Sequence, residues 1–357
     1  MIAAAKINDI KEYSISSSEL MIVNLNKQLF HGERLVSSDA IMIGSILDGF
    51  LIYGEESDYK TRLLNLNSNK VKVVGLYSFF RSSFEGKLLI ASELILPKYE
   101  RTIVKFDFQN QVIHKILFEI PYYKVLWASK SLLVIKNNES FDATSFFLYN
   151  HQTETTLWQF DSSELGIEKI SKIMGVFGEV LVVVGLYENP DPRYSDQYEL
   201  FMGFDINTGS LLWQQKEVLI NEKTSPLGGL SFNLQFQNDG LMLEALLGEY
   251  YWTLNSQSGE ITAVSIKDQL DDIGLWVAMS SAISATHLYF RAQVHALGGF
   301  AKCIGSFDLE TKKIDWFHTF EEFNQTGAAV KNNQPKVGGN KIYALDTNNT
   351  LHIFERE

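Results

Sequence analysis

The stretch from Gly203 to Lys216 reads GFDINTGSLLWQQK and decides how the rest of the chain is interpreted. An apolar segment ends at Asp205, a turn with Thr208 and Gly209 follows, and a second apolar segment carries Trp213. Asp and Thr side chains form local hydrogen bonds in turns, and glycine supplies the positive φ that a tight hairpin needs. The stretch therefore predicts a β-hairpin, and we expect the Trp213 ring to cover the turn of a neighbouring unit.

The same pattern recurs along the chain at spacings of 38 to 55 residues. In each copy an apolar pair precedes Asp or Asn, and a polar turn leads to another apolar segment. The anchors are Asn65, Asp107, Asn150, Asp205, Asn255, Asp308 and Asp346. Three copies keep both the threonine and the tryptophan: Thr153 with Trp158, Thr208 with Trp213, and Thr311 with Trp316. Periods in this range indicate a repeat architecture, and four short strands per period are typical of β-propeller blades.

The number of strands predicts the number of blades. Six repeats, anchored from Asn65 to Asp308, each have room for four strands rich in β-branched and aromatic residues. Only three strands fit after Asp308, whereas residues 19–30, ELMIVNLNKQLF, form a spare strand. We expect an all-β fold in which residues 1–357 form one domain. We expect this domain to be a single seven-bladed propeller of four-stranded antiparallel blades, closed by an N-terminal strand. Eight blades are the alternative, because VNLNKQ around Asn24 resembles the motif.

The composition excludes some classes of function. The chain has 357 residues, of which 45% are hydrophobic, so it can bury a sizeable core. Its 31 Lys and Arg against 43 Asp and Glu give a net charge of −12, which argues against nucleic-acid binding. The single cysteine, Cys303, cannot form an intrachain disulfide. An export signal and a membrane-length apolar segment are not visible in the sequence, so we expect a cytoplasmic monomer that binds no membrane.

Sequence motifs give no support to catalysis or to metal binding. The seven histidines are scattered without metal-ligand spacing, and the nucleophile-elbow, P-loop and dinucleotide motifs are missing. The acidic segment ENPDPRYSDQYE, residues 188–199, lacks the regular spacing of a calcium loop and is interpreted as a solvated loop. We expect no catalytic residues, no metal and no cofactor.

The hairpin at Asp205 resembles the tryptophan-docking repeat of the PQQ-like, quinoprotein-type β-propellers. That repeat reads AxDxxTGxxxW, and GFDINTGSLLW matches it except that Gly203 replaces the first alanine. KIYALDTNNTLHIF is similar to the family's terminal repeat, with Ala344 and Asp346 in place. The resemblance covers the chain from about residue 40 to its end at the level of architecture. Quinoprotein dehydrogenases are longer, exported and commonly carry a vicinal disulfide, so the resemblance implies a non-catalytic, WD40-like scaffold.

A partner-binding surface is predicted on one side of the ring. In propellers, the loops between the second and third strands of a blade share a face with the connections between blades. Tyr and Arg, which are enriched in binding hot spots, occur in these loops. The candidate partner-binding residues are Tyr99, Arg101, Tyr122, Tyr123, Arg193, Tyr194 and Phe300. We therefore expect a non-enzymatic scaffold that docks a protein partner.

The resemblance also suggests which kind of scaffold this is. Non-catalytic bacterial propellers of this type include exported outer-membrane assembly scaffolds and antitoxin-like immunity proteins. The missing lipoprotein signal favours the immunity role. The alternative is a small-ligand binder or enzyme that uses the central channel, with Glu244 and Arg291 as polar residues on the innermost strands. An acidic surface that mimics nucleic acid is a third reading.

Overall fold

The computed structural model of the protein describes most of the chain. The residues outside the description are 1, 17–18, 48, 59, 77–81, 85–87, 96–99, 108–111, 117–122, 130, 138–144, 162–164, 188–197, 237–239, 296–299, 333 and 356–357. The described residues form antiparallel strands and three short helices. Val, Ile, Leu, Phe and Tyr fill the strands, as their preference for a pleated, half-buried surface predicts.

The elements follow one another as blades. The first strand is β1 (Ile2–Ile7). Blade 1 contains β2 (Ile10–Ser16), β3 (Glu19–Asn24), β4 (Leu29–His31) and β5 (Arg34–Ser37). Blade 2 contains β6 (Ala40–Leu47), β7 (Phe50–Glu55), β8 (Lys60–Asn65) and β9 (Val71–Leu76). Blade 3 contains β10 (Ser82–Phe84), β11 (Leu88–Ile95), β12 (Glu100–Asp107) and β13 (Val112–Ile116), and blade 4 contains β14 (Tyr123–Ala128), β15 (Leu132–Asn137), β16 (Ser145–Asn150) and β17 (Thr155–Asp161). Blade 5 contains β18 (Lys169–Phe177), β19 (Val180–Tyr187), β20 (Tyr198–Asp205) and β21 (Leu211–Gln215).

Insertions separate the remaining blades. A hairpin of β22 (Glu217–Ile220) and β23 (Lys223–Pro226) and the helix α1 (Leu230–Asn233) precede blade 6, which contains β24 (Gln235–Phe236), β25 (Met242–Gly248), β26 (Tyr250–Asn255) and β27 (Ile261–Ser265). Helix α2 (Lys267–Asp272) precedes blade 7, with β28 (Leu275–Ile283), β29 (His287–Val294), β30 (Ala301–Asp308) and β31 (Lys313–Thr319). Helix α3 (Phe323–Thr326) precedes blade 8, with β32 (Lys336–Gly338), β33 (Lys341–Leu345) and β34 (Leu351–Glu355).

The propeller of four-stranded blades is confirmed, and the described strands form eight blades, which is the alternative to the predicted seven. Six four-stranded sheets accompany one eight-stranded sheet, which divides into blades 6 and 7 because only a short pairing of β25 with β28 joins them. Residues 10–37 form a complete blade of their own, so the spare strand predicted at residues 19–30 belongs to blade 1. This blade is hard to recognise in the sequence because β4 and β5 have only three and four residues.

The predicted closure by an N-terminal strand is also confirmed, although the strand is β1. It pairs antiparallel with β34, from Ile2 opposite Glu355 to Ile7 opposite Leu351, and completes blade 8. The chain then enters β2 directly, and the Tyr13 hydroxyl on this strand donates a hydrogen bond of 3.1 Å to the carbonyl of Tyr343. Blade 8 is therefore built from both ends of the chain, and closure leaves fewer strand edges open.

Backbone hydrogen bonds define two faces of the ring. In blade 7, the Leu309 N–H donates to the Thr286 carbonyl at 2.8 Å, which joins the turn after the third strand to the turn after the first. We call the side with these turns the motif face. The Ile10 N–H donates to the Asn349 carbonyl at 2.8 Å, which joins the link between blades 8 and 1 to the turn after the second strand of blade 8. We call this opposite side the connecting face.

The repeat motif forms the hairpin that the sequence predicts. The Asp205 carboxylate accepts hydrogen bonds from the N–H of Asn207 (2.9 Å) and from the N–H (2.7 Å) and hydroxyl (2.9 Å) of Thr208. The two hydrogen bonds from Thr208 are the main reason why the pKa of Asp205 lies below its usual range. Gly209 has a φ of +73°. The same contacts recur at Asp308 with Thr311, and the Asn150 side chain accepts from the N–H of Thr153.

Asp346 is an exception, and its assignment to the motif was wrong. It follows β33, the second strand of its blade, so its turn lies on the connecting face. It is buried, and its carboxylate accepts from the N–H of Thr350 at 2.8 Å and contacts His352 at 2.9 Å. Asn24, after the second strand of blade 1, accepts from the N–H of Gln28 at the same four-residue offset. Asn24 and Asp346 are therefore counterparts of each other and not of Asp205.

The tryptophans dock on the following blade, as predicted. The Trp158 indole N–H donates to the carbonyl of Ile206 in blade 5 at 2.9 Å, and that of Trp213 donates to Ser256 in blade 6 at 3.1 Å. The next glycine lies under each ring, because an added Cβ would come within 2.6 Å of Trp158 at Gly209 and within 2.5 Å of Trp213 at Gly259. Trp316 packs instead on Phe354 of blade 8, with ring centroids 5.6 Å apart.

The departure from the family motif at Gly203 has a steric reason. Gly203 lies opposite Trp213 in the strand ladder, and a Cβ there would be 2.2 Å from the indole. Such a contact does not occur between real atoms, so alanine at this position would displace the ring. The indole is thus held between a glycine of its own blade and Gly259 of the next.

The interface between blades 6 and 7 uses different chemistry. Ala263 stands where the docking tryptophan would be, and Lys312 stands at the position of the glycine, with a φ of +57°. The Lys312 ammonium donates to the Tyr251 hydroxyl at 2.7 Å and lies 3.6 Å from Glu244. Tyr251 also donates to Glu244. A polar triad therefore replaces the apolar ring-on-glycine contact at this interface.

Candidate partner-docking face

The predicted partner-binding residues fall into two groups. Tyr99, Tyr122, Arg193 and Tyr194 lie outside the described residues. The strand order places the other three at the connecting face: Arg101 near the start of the third strand of blade 3, Tyr123 at the start of blade 4, and Phe300 immediately before β30. The Phe300 side chain is 70% exposed.

The connecting face between blades 5 and 8 carries the described insertions. The β22–β23 hairpin and α1 join blade 5 to blade 6, α2 joins blade 6 to blade 7, and α3 joins blade 7 to blade 8. These links run from the last strand of one blade to the first strand of the next, so they lie on the same side of the ring as Phe300. Loops of this kind on a rigid scaffold are where binding residues concentrate.

Large apolar side chains are exposed on these insertions and beside them. Leu219 at the hairpin and Phe232 on α1 are each 67% exposed, and Trp276 at the start of β28 is 50% exposed. Trp276 stacks on His295, with centroids 6.2 Å apart and an interplanar angle of 19°. Phe232, Trp276 and Phe300 form what we call the aromatic group of the connecting face. Sequence reasoning missed Trp276, although its position outside every docking motif was a usable signal.

Buried polar contacts hold α1 in place. Glu199 is 1% exposed, and its carboxylate accepts from the N–H of Ser231 at 3.1 Å and from its hydroxyl at 2.5 Å. The Lys172 ammonium donates to the Ser231 carbonyl at 2.7 Å, and burial lowers the pKa of Lys172. Because both polar groups of the Ser231 backbone are fixed, Phe232 is presented from an ordered turn.

Helix α2 places acidic groups beside Trp276. Lys267 forms ion pairs of 3.1 Å with Glu249 and with Asp271, and His295 lies 3.4 Å from Asp271. The hydrogen bond from Lys267 is the main cause that lowers the pKa of Asp271. Asp268 and Asp272 add further negative charge to the same helix. The surface therefore combines exposed aromatic rings with carboxylates.

The central-channel residues proposed from the sequence are not on the innermost strands. Glu244 lies on β25 and Arg291 on β29, each the second strand of its blade. Glu244 belongs to the polar triad with Tyr251 and Lys312 described above. The half-buried Arg291 donates to the sulfur of Met279 at 3.6 Å. The two residues were therefore assigned to the wrong strand of their blades.

The innermost strands carry groups that satisfy one another. The Lys336 ammonium donates to the Tyr13 carbonyl at 3.2 Å and lies 4.6 Å from the centre of the Tyr13 ring. Burial lowers the pKa of Lys336, and the Ser281 hydroxyl donates to the Pro335 carbonyl at 2.8 Å. Within the described residues, no group of three or more His, Cys, Asp or Glu side chains is placed to hold a metal ion. None of the described helices combines the length and apolarity needed to cross a membrane.

Comparison with known proteins identifies the fold. No protein-family model matches this sequence, and no curated protein matches it. Solved β-propeller structures do match. Sqt1 of Chaetomium thermophilum, bound to the N-terminus of the ribosomal protein L10, has a TM-score of 0.53 and 11% identity, covering 98% of this chain and 100% of that chain. Hsv2 of Kluyvelomyces marxianus has a TM-score of 0.51 and 11% identity, covering 88% and 99%. A chain of the mitotic checkpoint complex has a TM-score of 0.50 and 7% identity, covering 99% and 94%.

Proposed function

We propose that the protein is a non-enzymatic scaffold that binds a protein partner on its connecting face. The observation that carries the proposal is the aromatic group, in which Phe232, Trp276 and Phe300 are at least half exposed. Exposed Trp and Phe beside polar groups are typical of binding hot spots, because each ring buries a large apolar area when a partner covers it. Sqt1, a similar propeller, is bound to the N-terminus of another protein, which supports this reading.

The chemistry of the face favours a basic, partly apolar polypeptide segment. The protein has a net charge of −12, and the carboxylate of Asp271 on α2 lies 3.4 Å from His295, the ring on which Trp276 stacks. A Lys or Arg side chain can contact both an aromatic face and a carboxylate. Charge of this sign also accelerates association with a basic partner.

The remaining expectations from the sequence belong to this proposal and stay predictions. They are the non-catalytic PQQ-like family, the cytoplasmic location, the monomeric state and the absence of nucleic-acid binding. The contacts of the Trp158 and Trp213 indoles with the glycines of the next blade support the proposed family. An immunity role requires a toxic partner. It predicts that the toxic protein is tolerated by cells only when this protein is co-produced.

The proposal predicts that a partner is lost when the aromatic group is truncated. A Trp276→Ala/Phe300→Ala variant is expected to bind the partner at least about 30-fold more weakly, since the loss of a single hot-spot residue costs about 2 kcal/mol or more. Affinity capture from the native source would identify the partner, and titration with the purified partner would give the Kd. The matched control is Leu157→Ala/Val264→Ala, which truncates two exposed apolar residues on outer strands.

The control and a third variant locate the contact. Equal binding by wild type and both variants would show that the connecting face at blade 7 is not used. A Tyr122→Ala/Tyr123→Ala/Arg193→Ala variant tests whether the contact extends to the residues predicted between blades 3 and 5. Failure to retain any stoichiometric protein partner would contradict the scaffold function itself.

A further inference from the structure

The seam where β1 closes the ring contains a cavity of about 330 Å³ between blades 7 and 8. Blade 7 contributes His318 on β31, and the link to blade 8 contributes Glu322 immediately before α3. Blade 8 contributes Phe354 on β34 and Lys6 on β1. The lining of a cavity lacks packing partners on one side, so fewer contacts oppose separation of the two blades at this seam.

His318 is held at the seam in apolar surroundings. Its half-buried ring packs against Phe320 and Phe354, with centroids 4.8 Å away in each case. Both phenylalanines are buried. Burial of an imidazole penalises its charged form, because an imidazolium loses more hydration than the neutral ring does. The packing of this seam therefore favours neutral His318.

The charges nearest to His318 are already paired with each other. The Lys6 ammonium lies 2.7 Å from Oε1 of Glu322, so the carboxylate that could stabilise a protonated His318 is engaged by a cation. Burial lowers the pKa of His318, Glu322 opposes this shift, and the positive charge of Lys6 adds to it. A proton on His318 therefore adds a second positive charge beside Lys6.

The other elements packed on His318 do not supply a free carboxylate. On β34, His352 lies 2.9 Å from the carboxylate of Asp346, so this second carboxylate at the seam is also paired. On the neighbouring strand β30, the Lys302 ammonium donates to Asn324 of α3 at 3.3 Å. Lys302 is a further cation on the blade 7 side of the seam.

We propose that this seam is an acid-sensitive closure of the ring, in which protonation of His318 loosens the contact of β1 and β34 with blade 7. Separation of the blades lets water hydrate the imidazolium and the Lys6 ammonium. β1 is the outermost strand of blade 8 and pairs only with β34, so it is the strand expected to open first. The closure is independent of the proposed docking function.

Acid weakens the closure because the open seam binds a proton more tightly than the closed seam does. An imidazole in water has a pKa of about 6.5, whereas the pKa of His318 in the closed seam is lower. The stability that neutral His318 contributes is therefore present above about pH 6.5 and is lost as the pH falls below that value. A single proton changes the opening equilibrium by at most about tenfold per pH unit.

The first measurement is a pH titration of the imidazole resonances in the whole protein. The His318 resonances are assigned by their loss in His318→Phe, which keeps an aromatic ring at the position. The titration midpoint of His318 is expected to lie below the ordinary value of about 6.5. A midpoint that is not lowered would overturn the proposal.

The second measurement is hydrogen exchange of the β1 amides at about pH 7.5 and about pH 5.5, as protection factors corrected for the intrinsic exchange rate. Protection of β1 is expected to fall about three- to tenfold in the wild type and less than about twofold in His318→Phe. Strand β19 in blade 5 is the internal reference and should keep its protection. Equal losses in both proteins, no loss in the wild type, or a loss of the same size in β19 would each contradict the proposal.

A third variant tests the charges at an exposed position. Lys6→Gln removes one positive charge and frees the Glu322 carboxylate, so the titration midpoint of His318 is expected to rise and the acid-induced loss of β1 protection to shrink. The matched control is Lys313→Gln, which removes the same charge from an exposed lysine of β31 outside the cavity lining. A midpoint that does not rise in Lys6→Gln, or that rises equally in Lys313→Gln, would contradict the proposal.

Discussion

Replacing Trp158 with alanine is expected to lower the free energy of unfolding by about 3–5 kcal/mol. The ring is 9% exposed and packs on Phe146 and Phe204, with centroids 5.9 and 6.1 Å away. Its N–H also bonds to Ile206 of the next blade, so the substitution loosens two blades at once. Denaturant unfolding measures the loss. The adjacent Leu157→Ala, at a side chain 43% exposed, is the control and should change stability by less than about 0.5 kcal/mol.

A double-mutant cycle shows whether the ring and the glycine act as one contact. Gly209→Ala places a Cβ 2.6 Å from the Trp158 ring at a φ of +73°. It is expected to cost about 2–5 kcal/mol, combining overpacking with the left-handed backbone. In the Trp158→Ala background only the backbone cost of about 1–2 kcal/mol remains. Additive effects of the two substitutions would contradict the docking contact.

Removal of residues 2–7 is expected to destabilise the ring by about 5 kcal/mol and to promote aggregation. The deletion breaks a five-residue antiparallel pairing with β34, at about 1 kcal/mol for each hydrogen bond, and leaves that strand as an open edge. Thermal unfolding and light scattering measure the two effects. Unchanged stability would mean that the closing strand is dispensable.

A peptide of residues 1–9 added to the truncated protein should restore part of the lost stability. The matched control peptide carries Ala5→Pro, because proline lacks the N–H needed in a strand ladder and disfavours pairing. Rescue by both peptides would show that the effect is not strand pairing. Rescue by neither would show that β1 closes the ring only as part of the continuous chain.

The sequence predicts those parts of the fold that depend on local chemistry. The turn at Asp205 and the docking of Trp213 follow from side chains a few residues apart, and both are confirmed. Blade 1 was predicted only in the eight-blade alternative because its outer strands are too short to show a pattern. Asp346 was assigned to the wrong turn because a buried carboxylate and an exposed turn carboxylate have the same local sequence. Only the pairing partner of a strand distinguishes them.

The candidate sites were less predictable because they depend on contacts between distant segments. Phe300 was identified since its loop follows a predicted second strand, and it is exposed. Phe232 depends on Glu199, which holds α1 from another strand. Residue spacing in the sequence contains no information of this kind.

The interfaces between successive blades differ, and this has a consequence for assembly of the ring. Two junctions use an indole on a glycine, Trp158 on Gly209 and Trp213 on Gly259. The junction between blades 6 and 7 uses the Lys312 triad, and the junction between blades 7 and 8 uses Trp316 on Phe354. A repeat protein with identical junctions can pair any blade with any other, and misassembly between repeats is its characteristic failure. Here a misplaced blade would bury the Lys312 ammonium against an indole or leave an indole without its glycine. The different kinds of junction therefore restrict which blades can pack next to each other.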